Sequence, residues 1–494
     1  MTSSVQDQTT RPPGGFFGHP KGLSTLFFTE TWERFSYYGM KAILLYYMYD
    51  QAASGGLGID QGLAKSIVAV YGAALYMSSI LGGWIADRFL GSRRSILYGG
   101  ILIMLAHLTL AIPGGAAFLY ASMVLLVIGT GMLKPNVTNL VGGLYAEDDT
   151  RRDAGFSIFY MGINLGAFLA PLVIGTIGQS YNYHLGFSLA AAGMAAGLTQ
   201  YWLRRRTLGD VGLAPTNPMT ETERGQAVLR IGIGVVLLVA CAAFLVVTGE
   251  FTASLVVNAV SLLAFIVPVA YFVVMFTSKK VSAVERSRLV AYIPLFIGAV
   301  LFWFVEEQQF TVWAQFADQQ TDLDAFGFHI PSSWVQVISA MDVIIFAPLL
   351  ALLWTKLKHR QPSTPQKFTI GLFLSGLSFL IMALVCVLQG PDGKANPLWL
   401  LLSLTVLTIG ELCLSPVGLS ATTKLAPAAF VAQTVGLFLA ADAAGQGLIA
   451  QVAPLYNRHS APVYFGVIGG FVLVAAAILG LLSPAIKRKM HGVS

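Results

Sequence analysis

Charged residues are scarce in this chain, where Lys, Arg, Asp and Glu together make up 11% of 494 residues. A soluble globular protein carries about a quarter, while hydrophobic residues here reach 55%. This shortage argues against a soluble fold. The net charge of +6 is spread thinly and lacks the clustered basic patch of a nucleic-acid-binding protein, so we expect no nucleic-acid partner.

Cysteine and catalytic motifs are also in short supply. Cys241, Cys386 and Cys413 fall in three separate apolar stretches, and they predict no disulfide framework. The chain has no H-E-x-x-H, no G-x-S-x-G and no Cys/His spacing suited to a metal. We therefore expect a protein that is not an enzyme and that needs no cofactor or metal. The first 20 residues contain no apolar stretch or cleavage site of a signal peptide.

Long apolar runs are what the chain does contain. They are about 20 residues long, enough to cross a bilayer, and mean hydropathy is +0.70. They predict an all-α polytopic membrane protein with fourteen transmembrane helices. The predicted spans are 22–49, 62–86, 95–112, 116–142, 153–179, 184–203, 227–248, 253–276, 289–317, 332–356, 368–389, 397–423, 429–456 and 462–486.

Basic residues predict the orientation of these spans. They cluster at alternate connections, whereas the opposite connections hold only Lys394 and Arg458. The positive-inside rule then places both termini in the cytoplasm of a multi-pass protein of the cell (inner or plasma) membrane. Basic clusters on both sides of 227–276 make that region an inserted two-helix hairpin. The predicted parts are a cytoplasmic N-terminal tail (1–20), an N-terminal six-helix bundle (21–205), a linker with the hairpin (206–285), a C-terminal six-helix bundle (286–486) and a cytoplasmic C-terminal tail (487–494).

The connection after the second span carries a recognisable pattern. GGWIADRFLGSRR, at 82–94, resembles the G-x-x-x-D-R-x-x-G-x-R-R loop of major facilitator superfamily transporters. That resemblance implies two six-helix halves related by an internal repeat, as such transporters are built. An ordinary positive-inside loop is the simpler interpretation, but the Asp87–Arg88 pair between glycines at this point of a six-helix half favours the superfamily.

The first span contains an unusual number of charges. In TETWERFSYYGMK (29–41), a turn of about 100° per residue puts the charged residues and a tyrosine on one face, with Tyr38 at its edge. Facing lipid, the four charges would cost on the order of 10–14 kcal/mol. This face is therefore expected to line a watered cavity or to meet opposite charges. Its members are Glu30, Glu33, Arg34, Tyr37 and Lys41.

Further mid-span charges fall at related positions of the two halves. Lys134 lies in the fourth span, Glu306 and Glu307 in the first span of the second half, and Glu411 in its fourth. A pseudo-two-fold axis would set Lys41 against Glu306 or Glu307, and Lys134 against Glu411. Structural ion pairs are the simpler explanation of any single pair. Several such groups along one axis are costly as structural pairs, and they suit a site in which carboxylates exchange partners and protons.

Five segments carry a specific family resemblance. ETWERFSYYGM looks like the E-x-x-E-R-F-x-Y-Y-G signature of the proton-coupled oligopeptide transporter (POT/PTR) family, and FYMGINLGA (159–167) matches its second signature. GTGMLKPNV, EEQ (306–308) and GELCLSPVG (410–418) match the remaining segments, so the resemblance covers about residues 20–485. It implies a symporter that imports di- and tripeptides, uses the proton gradient as its energy source and works by alternating access.

The resemblance also implies roles for individual residues. Proton coupling would belong to Glu30, Glu33, Arg34 and Lys134. Salt-bridge gates would be formed by Lys41 with Glu307 on the extracellular side and by Lys134 with Glu411 on the cytoplasmic side. The implied substrate-binding residues are Tyr37, Tyr38, Lys41, Tyr76, Lys134, Asn164, Trp303, Glu306 and Glu411. A zwitterionic peptide between a cationic and an anionic wall fits this assignment, although packing explains Tyr76 and Trp303 equally well.

Three positions depart from the family pattern. Phe438 stands where many relatives carry Trp, Asp442 where they carry a small hydroxyl residue, and Ser339 where Asn is usual. The departures leave the side-chain preference of the substrate open, with the extra acid favouring basic side chains. A same-fold carrier of nitrate or of another peptide-like metabolite is the main alternative, although the complete acid cluster argues against nitrate. Besides peptide, protons and lipid, we expect no partner and a monomer.

Overall fold

The computed structural model describes residues 15–146, 149, 151–325, 327–390, 392–457 and 459–492. Most of the predicted N-terminal tail, Arg458 and the last two residues of the predicted C-terminal tail lie outside these ranges. The helices up to residue 204 are α1 (Lys21–Tyr49), α2 (Gln61–Ile85), α3 (Ser92–Ala111), α4 (Gly115–Gly143), α5 (Arg152–Ala170), α6 (Thr176–Ser180) and α7 (Tyr183–Arg204).

The remaining helices follow the same pattern of long apolar segments. They are α8 (Glu221–Val247), α9 (Ala253–Thr277), α10 (Ala283–Glu306), α11 (Val312–Gln320), α12 (Val335–Leu357), α13 (Thr364–Gln389), α14 (Pro397–Leu425), α15 (Val431–Val452) and α16 (Ala461–Lys489). The strands β1 (Asp324–Ala325) and β2 (Phe328–His329) pair antiparallel in the connection between α11 and α12.

Two of the spans are interrupted helices. A π-helical segment, Pro171–Gly175, joins α5 to α6, because Pro171 cannot donate the backbone hydrogen bond of a regular α-helix. A 3-10 turn, Glu307–Phe310, joins α10 to α11. The second interruption places the carboxylates of Glu306 and Glu307 at a break in the helix, where side chains can point away from the regular helical face.

The fourteen predicted spans all coincide with helical segments, which confirms the all-α fold. Twelve helices within the described ranges are long and apolar enough to cross a membrane. The other two spans are α1, whose five charged residues exceed what an apolar span carries, and α7, which is rich in Gly, Ala and polar residues. The predicted hairpin corresponds to α8 and α9.

Three helices begin earlier than their apolar runs predict. α8 starts at Glu221 rather than 227, α10 at Ala283 rather than 289, and α13 at Thr364 rather than 368. Each start follows a capping box, in which a Ser or Thr and the side chain three residues later satisfy the free backbone N–H groups. Capping therefore extends these helices by a polar turn beyond the apolar run.

The two halves share one packing scheme. In the first half α3 packs against α4 and α7, and α2 against α4; in the second, α13 packs against α14 and α16, and α12 against α14. The halves meet where α2 contacts α15 and where α5 contacts α12. This repeated scheme is the internal symmetry of a two-bundle transporter fold. Of the hairpin, α9 packs against α15 and α2, whereas the apolar stretch of α8 is exposed.

Candidate functional site

The charged face of α1 points into the protein. Glu30, Glu33 and Arg34 are all at most 3% exposed, in a helix that packs against α5 and α7. Nε of Arg34 lies 3.0 Å from Oε1 of Glu30 and 2.6 Å from Oε2 of Glu33. The three residues, predicted to share a helix face, thus form one compact cluster, which we call the α1 cluster.

The α1 cluster holds more charge than its hydrogen bonds satisfy. Within the described part of the chain, both oxygens of Glu33, Oε2 of Glu30 and two nitrogens of Arg34 have no hydrogen bond of good geometry. A buried acceptor without a donor is costly, and a proton on one of these carboxylates would supply a donor. The cluster is therefore chemically suited to take up and release a proton.

Lys134 approaches the α1 cluster from α4. Its Nζ lies 4.3 Å from the centre of the Tyr76 ring, and it interacts electrostatically with Arg34, Glu33 and Glu30. Pro135 follows it within the helix and leaves the carbonyl of Gly131 without its helical partner. This region packs directly against Gly82 of α2, where any Cβ atom would overlap the Gly131 carbonyl. Close packing of α2 and α4 thus holds Lys134 beside Tyr76.

A buried ion pair joins the two halves. Nζ of Lys41 lies 2.8 Å from Oε2 of Glu307, with 2% and 8% of the side chains exposed, and 3.6 Å from the centre of the Phe310 ring. The structure therefore brings together one of the pairs that the pseudo-two-fold axis predicted. Its role as a gate stays a prediction.

Other contacts close the same end of the molecule. The Tyr49 hydroxyl donates to Asp318 at 2.7 Å, Gln179 donates to Ser332 at 2.7 Å, and the Tyr183 hydroxyl bonds to Asp50. The first two cross between the halves, and all three lie opposite the connections that carry the basic clusters. We call this region, together with Lys41 and Glu307, the closed end.

The closed end also contains one half-buried carboxyl, that of Asp50. Asp50 lies just after α1, outside the membrane-spanning helix, and burial raises its pKa above the usual range, while the bond from Tyr183 opposes that rise.

The predicted pair of Lys134 and Glu411 is not formed. In the described ranges no ion pair within 4.0 Å joins these two residues. Instead, Glu411 lies on the wall of a cavity between the halves, and its role as a gate partner of Lys134 also stays a prediction.

The cavity between the halves has a volume of about 270 Å³. Arg34 and Lys134 give it a cationic wall from the first half, and Glu306 and Glu411 an anionic wall from the second. Its other predicted members are Glu30, Tyr38, Tyr76, Asn164, Trp303, Glu307 and Ser339. Three predicted site residues do not line it, because Glu33, Tyr37 and Lys41 are packed behind its wall. The predicted roles of these residues stay predictions.

Several lining residues were not predicted. Tyr160 accepts a bond from Asn164 at its carbonyl, 2.9 Å away, Gln309 donates to Glu306, and Ser339 donates to Gln309 at 3.1 Å. Helical spacing could have found them, since Tyr160 precedes Asn164 by four residues and Gln309 follows Glu306 by three. Gln336 is a further polar residue of the cavity wall that was not predicted.

A second cavity, of about 1080 Å³, lies at the opposite end from the closed one. It shares Tyr160 and Glu411 with the first cavity, so these two residues lie between them. Phe438, which departs from the family pattern, lines this larger cavity. Its rim is basic, and we call it the basic end; its lysines are Lys358, Lys367, Lys424 and Lys487.

Two packed six-helix halves, a charged cavity between them and one closed end define a multi-pass membrane transporter of the major facilitator type. A family model described as "PTR2: POT family" matches residues 93–468. The chain belongs to the POT family.

Relatives are similar in sequence over nearly the whole length of this chain. It is 53% identical to the uncharacterized transporter YclF of Bacillus subtilis (strain 168), covering 98% of this chain and 97% of the relative. It is 46% identical to the di-/tripeptide transporter of Lactococcus lactis subsp. cremoris, covering 97% and 98%. The crystal structure of a peptide transporter POT in complex with sulfate superimposes with a TM-score of 0.95 at 52% identity, covering 97% and 98%.

Proposed function

We propose that this chain is a proton-coupled symporter that imports di- and tripeptides by alternating access between its two helix bundles. The observation that carries the proposal is the cavity whose cationic wall, Arg34 and Lys134, faces an anionic wall of Glu306 and Glu411. A relative of matching length is named a di-/tripeptide transporter. A zwitterion with separated charges is the ligand that such a cavity complements.

A dipeptide fits the cavity in one orientation. Its carboxylate would lie against Arg34 and Lys134, and its ammonium against Glu306 and Glu411, with charge-assisted hydrogen bonds at both ends. Between them, the side-chain amide of Asn164 and the Nε1 of Trp303, which has no partner within the described residues, can serve the peptide group. The volume of about 270 Å³ lies near the lower limit of roughly 300 Å³ for small-molecule sites, which suits a short peptide.

Proton coupling would belong to the α1 cluster together with Lys134. A proton bound by one of its carboxylates removes a negative charge that attracts Arg34 and Lys134. These cations are then free to bind the substrate carboxylate. Lys41 with Glu307 would form the extracellular gate, and Lys134 with Glu411 the cytoplasmic one, formed when the basic end closes. A proton gradient suffices as energy source, so the proposal includes no cofactor and no enzymatic step.

The proposed setting is a multi-pass monomer in the cell membrane, with both termini in the cytoplasm. The closed end would then face outward, and the basic end, with its four lysines, inward. This orientation follows the positive-inside rule and makes the arrangement described above the inward-facing state.

Counterflow in proteoliposomes tests the proposal. Vesicles loaded with unlabelled dialanine should take up labelled dialanine, and other di- and tripeptides should compete while free alanine and nitrate should not. An imposed inward proton gradient should drive accumulation that a protonophore abolishes. Competition by nitrate at peptide-like concentrations would support the other anion carrier, and accumulation without proton or voltage dependence would refute symport.

A further inference from the structure

Asp442 is a buried acid that the proposed mechanism leaves unused. It lies in α15, is 3% exposed, and stands where the family pattern has a small hydroxyl residue. α15 packs against α2 of the opposite half and against α10. Asp442 therefore lies at the contact between the two halves, where a charge is sensitive to their relative movement.

A local arrangement holds the Asp442 side chain in place. Nε2 of Gln446, one turn later, donates to Oδ1 of Asp442 at 2.7 Å. Gly72 of α2 makes room for this amide, because a Cβ atom there would overlap the side-chain carbonyl oxygen of Gln446. The Asp442–Gln446 pair is thus built into the contact of α15 with α2.

Asp442 is linked to the surroundings of Lys134 through α2. Its partner Gln446 packs on Gly72. The ring centre of Tyr76, one turn later in α2, lies 4.3 Å from the Lys134 ammonium. Asp442 and Lys134 interact electrostatically, and Tyr76 also interacts with Asp442. The acids that act on Lys134 are Asp442 from the second half and Glu33 and Glu30 from the first. Lys134 therefore interacts with carboxylates of both halves.

Asp442 does not belong to the wall of the cavity between the halves. The wall carboxylates, Glu306 and Glu411, are the groups that a ligand ammonium reaches. In the state described here, Tyr76 and Lys134 line this cavity and Asp442 does not, so Asp442 would act on a bound ligand through Lys134. This position disfavours direct recognition of a basic substrate side chain, which the sequence alone favoured.

We propose that Asp442 is a positioning residue that holds Lys134 toward the second half whenever the basic end is open. On the proposed function, on which this inference rests, Lys134 then alternates between the α1 cluster and Asp442 as the cluster gains and loses its proton. The exchange moves one side chain and one proton, and no covalent bond changes. It gives this chain a second acid in the coupling pathway.

Other charged and titratable groups share the surroundings of Asp442. They come from α1, α2, α4, the end of α10 and the turn that follows it, and these residues must be left unchanged in any test of pH dependence. They are Tyr37, Lys41, Tyr76, Lys134, Glu306 and Glu307. Variants at Asp442 leave all of them in place.

The test compares Asp442→Asn, Asp442→Ser and Asp442→Glu in proteoliposomes. The two neutral variants should lose about tenfold in gradient-driven accumulation, the low end of the effect of a nearby opposite charge, while retaining dialanine counterflow. The pH of half-maximal driven uptake should move to lower values, because Lys134 then stays with the α1 cluster and opposes its protonation. Asp442→Glu should retain driven uptake.

Asp342→Asn provides the matched control, since Asp342 is an equally buried acid of the same half that lies in α12. It should leave accumulation and its pH profile unchanged. Wild-type accumulation with an unshifted pH profile in both neutral Asp442 variants would overturn the inference. So would a selective loss of affinity for lysyl-alanine, or a joint loss of counterflow and accumulation.

A measurement without transport separates this inference from the proposed function. In a thermal-unfolding cycle on purified protein, Asp442→Asn and Lys134→Gln should shift the melting temperature non-additively, because the two residues interact. Additive shifts would contradict the inference, whatever the substrate is. Absence of dialanine counterflow in the wild type, with a non-additive cycle, would refute the peptide assignment alone.

Discussion

The two ends of the molecule hold their halves together differently. At the closed end, Lys41 and Glu307 form a buried ion pair at 2.8 Å, surrounded by direct hydrogen bonds between side chains of the two halves. At the basic end, the corresponding residues Lys134 and Glu411 remain apart and a cavity of about 1080 Å³ separates the helices.

On the proposed function, this difference means that one Lys–Glu gate is formed while the other is open. A buried pair is stable only while its geometry is good, because the cost of desolvating both charges nearly offsets their attraction. Small changes of position can therefore make or break it. The proposed alternating access would form these two pairs in turn, with the α1 cluster deciding which one forms.

Neutralising the α1 cluster should have the largest effect. Glu30→Gln keeps the shape of the side chain but removes the site at which a proton is gained, so gradient-driven accumulation should be abolished. Exchange of labelled for unlabelled dialanine should persist, since it needs no net proton movement. Uptake with and without an imposed proton gradient measures both, and accumulation at the wild-type level would remove Glu30 from coupling.

Breaking the ion pair of the closed end should have the next largest effect. Lys41→Ala leaves the Glu307 carboxylate buried without its partner, at a cost of about 3–5 kcal/mol. This cost is close to the roughly 5.5 kcal/mol that inverts a 99:1 ratio between two conformations, so the closed end should open. Spin labels at Ala52→Cys and Lys394→Cys, with the native cysteines replaced, should report a longer distance.

The exchanged pair, Lys41→Glu with Glu307→Lys, is the control for this experiment. It retains both charges and should return the spin-label distance toward its original value. An unchanged distance distribution in Lys41→Ala would show that the remaining contacts, such as Tyr49 with Asp318, hold the closed end without the ion pair.

Neutralising Glu411 should have an intermediate effect on binding. A substrate ammonium gains a charge-assisted hydrogen bond to this carboxylate, worth about 1.5–3 kcal/mol, so Glu411→Gln should weaken dialanine binding by roughly one to two factors of ten. N-acetylated dialanine, which has no ammonium, should compete poorly with the wild type and lose little more with the variant. C-terminally amidated dialanine should lose as much as dialanine does on this substitution. Equal effects of the substitution on N-acetylated dialanine and dialanine would show that Glu411 does not bind the amino terminus.

The smallest effect is expected for an exposed ion pair near the basic end. Nη2 of Arg88 lies 3.3 Å from Glu223, whose side chain is 53% exposed, and such pairs contribute about 0.2–1 kcal/mol. Glu223→Gln removes the charge but retains the capping box with Thr220. Transport should be unchanged and the melting temperature nearly so. A clear loss of transport in Glu223→Gln would contradict the expectation that exposed ion pairs contribute little.

Much of the fold could be predicted because it depends on local sequence. Apolar runs identified all fourteen spans, since the length of a membrane helix follows from bilayer thickness. Helix starts such as Glu221 and Ala283 were missed, although the capping-box pattern marks them, because the prediction followed hydropathy alone. The π-helical segment at Pro171–Gly175 and the break after Glu306 could not be predicted from hydropathy, which does not register backbone geometry.

In the candidate site, the charged residues could be predicted from the sequence, whereas several neutral polar residues could not. Charges in a span must avoid lipid, so Glu30, Arg34, Lys134 and Glu411 could be identified as interior residues from their positions alone. Gln309 and Gln336 were missed because neutral polar residues cost less in a span and stand out less. The prediction placed both Tyr37 and Tyr38 at the substrate. Tyr38 lines the cavity and Tyr37 is buried behind its wall, and both roles stay predictions.

The membrane class, the number of membrane-spanning helices, the family and the list of interior charges could all be read from the chain, because each depends on local composition, spacing or motif. Which charges meet could be seen only in the folded protein. Lys41 contacts Glu307, whereas Lys134 lies over Tyr76 and, among the described residues, forms no ion pair within 4.0 Å. Such pairings depend on distances between helices far apart in the chain, and these distances change with the relative position of the two halves.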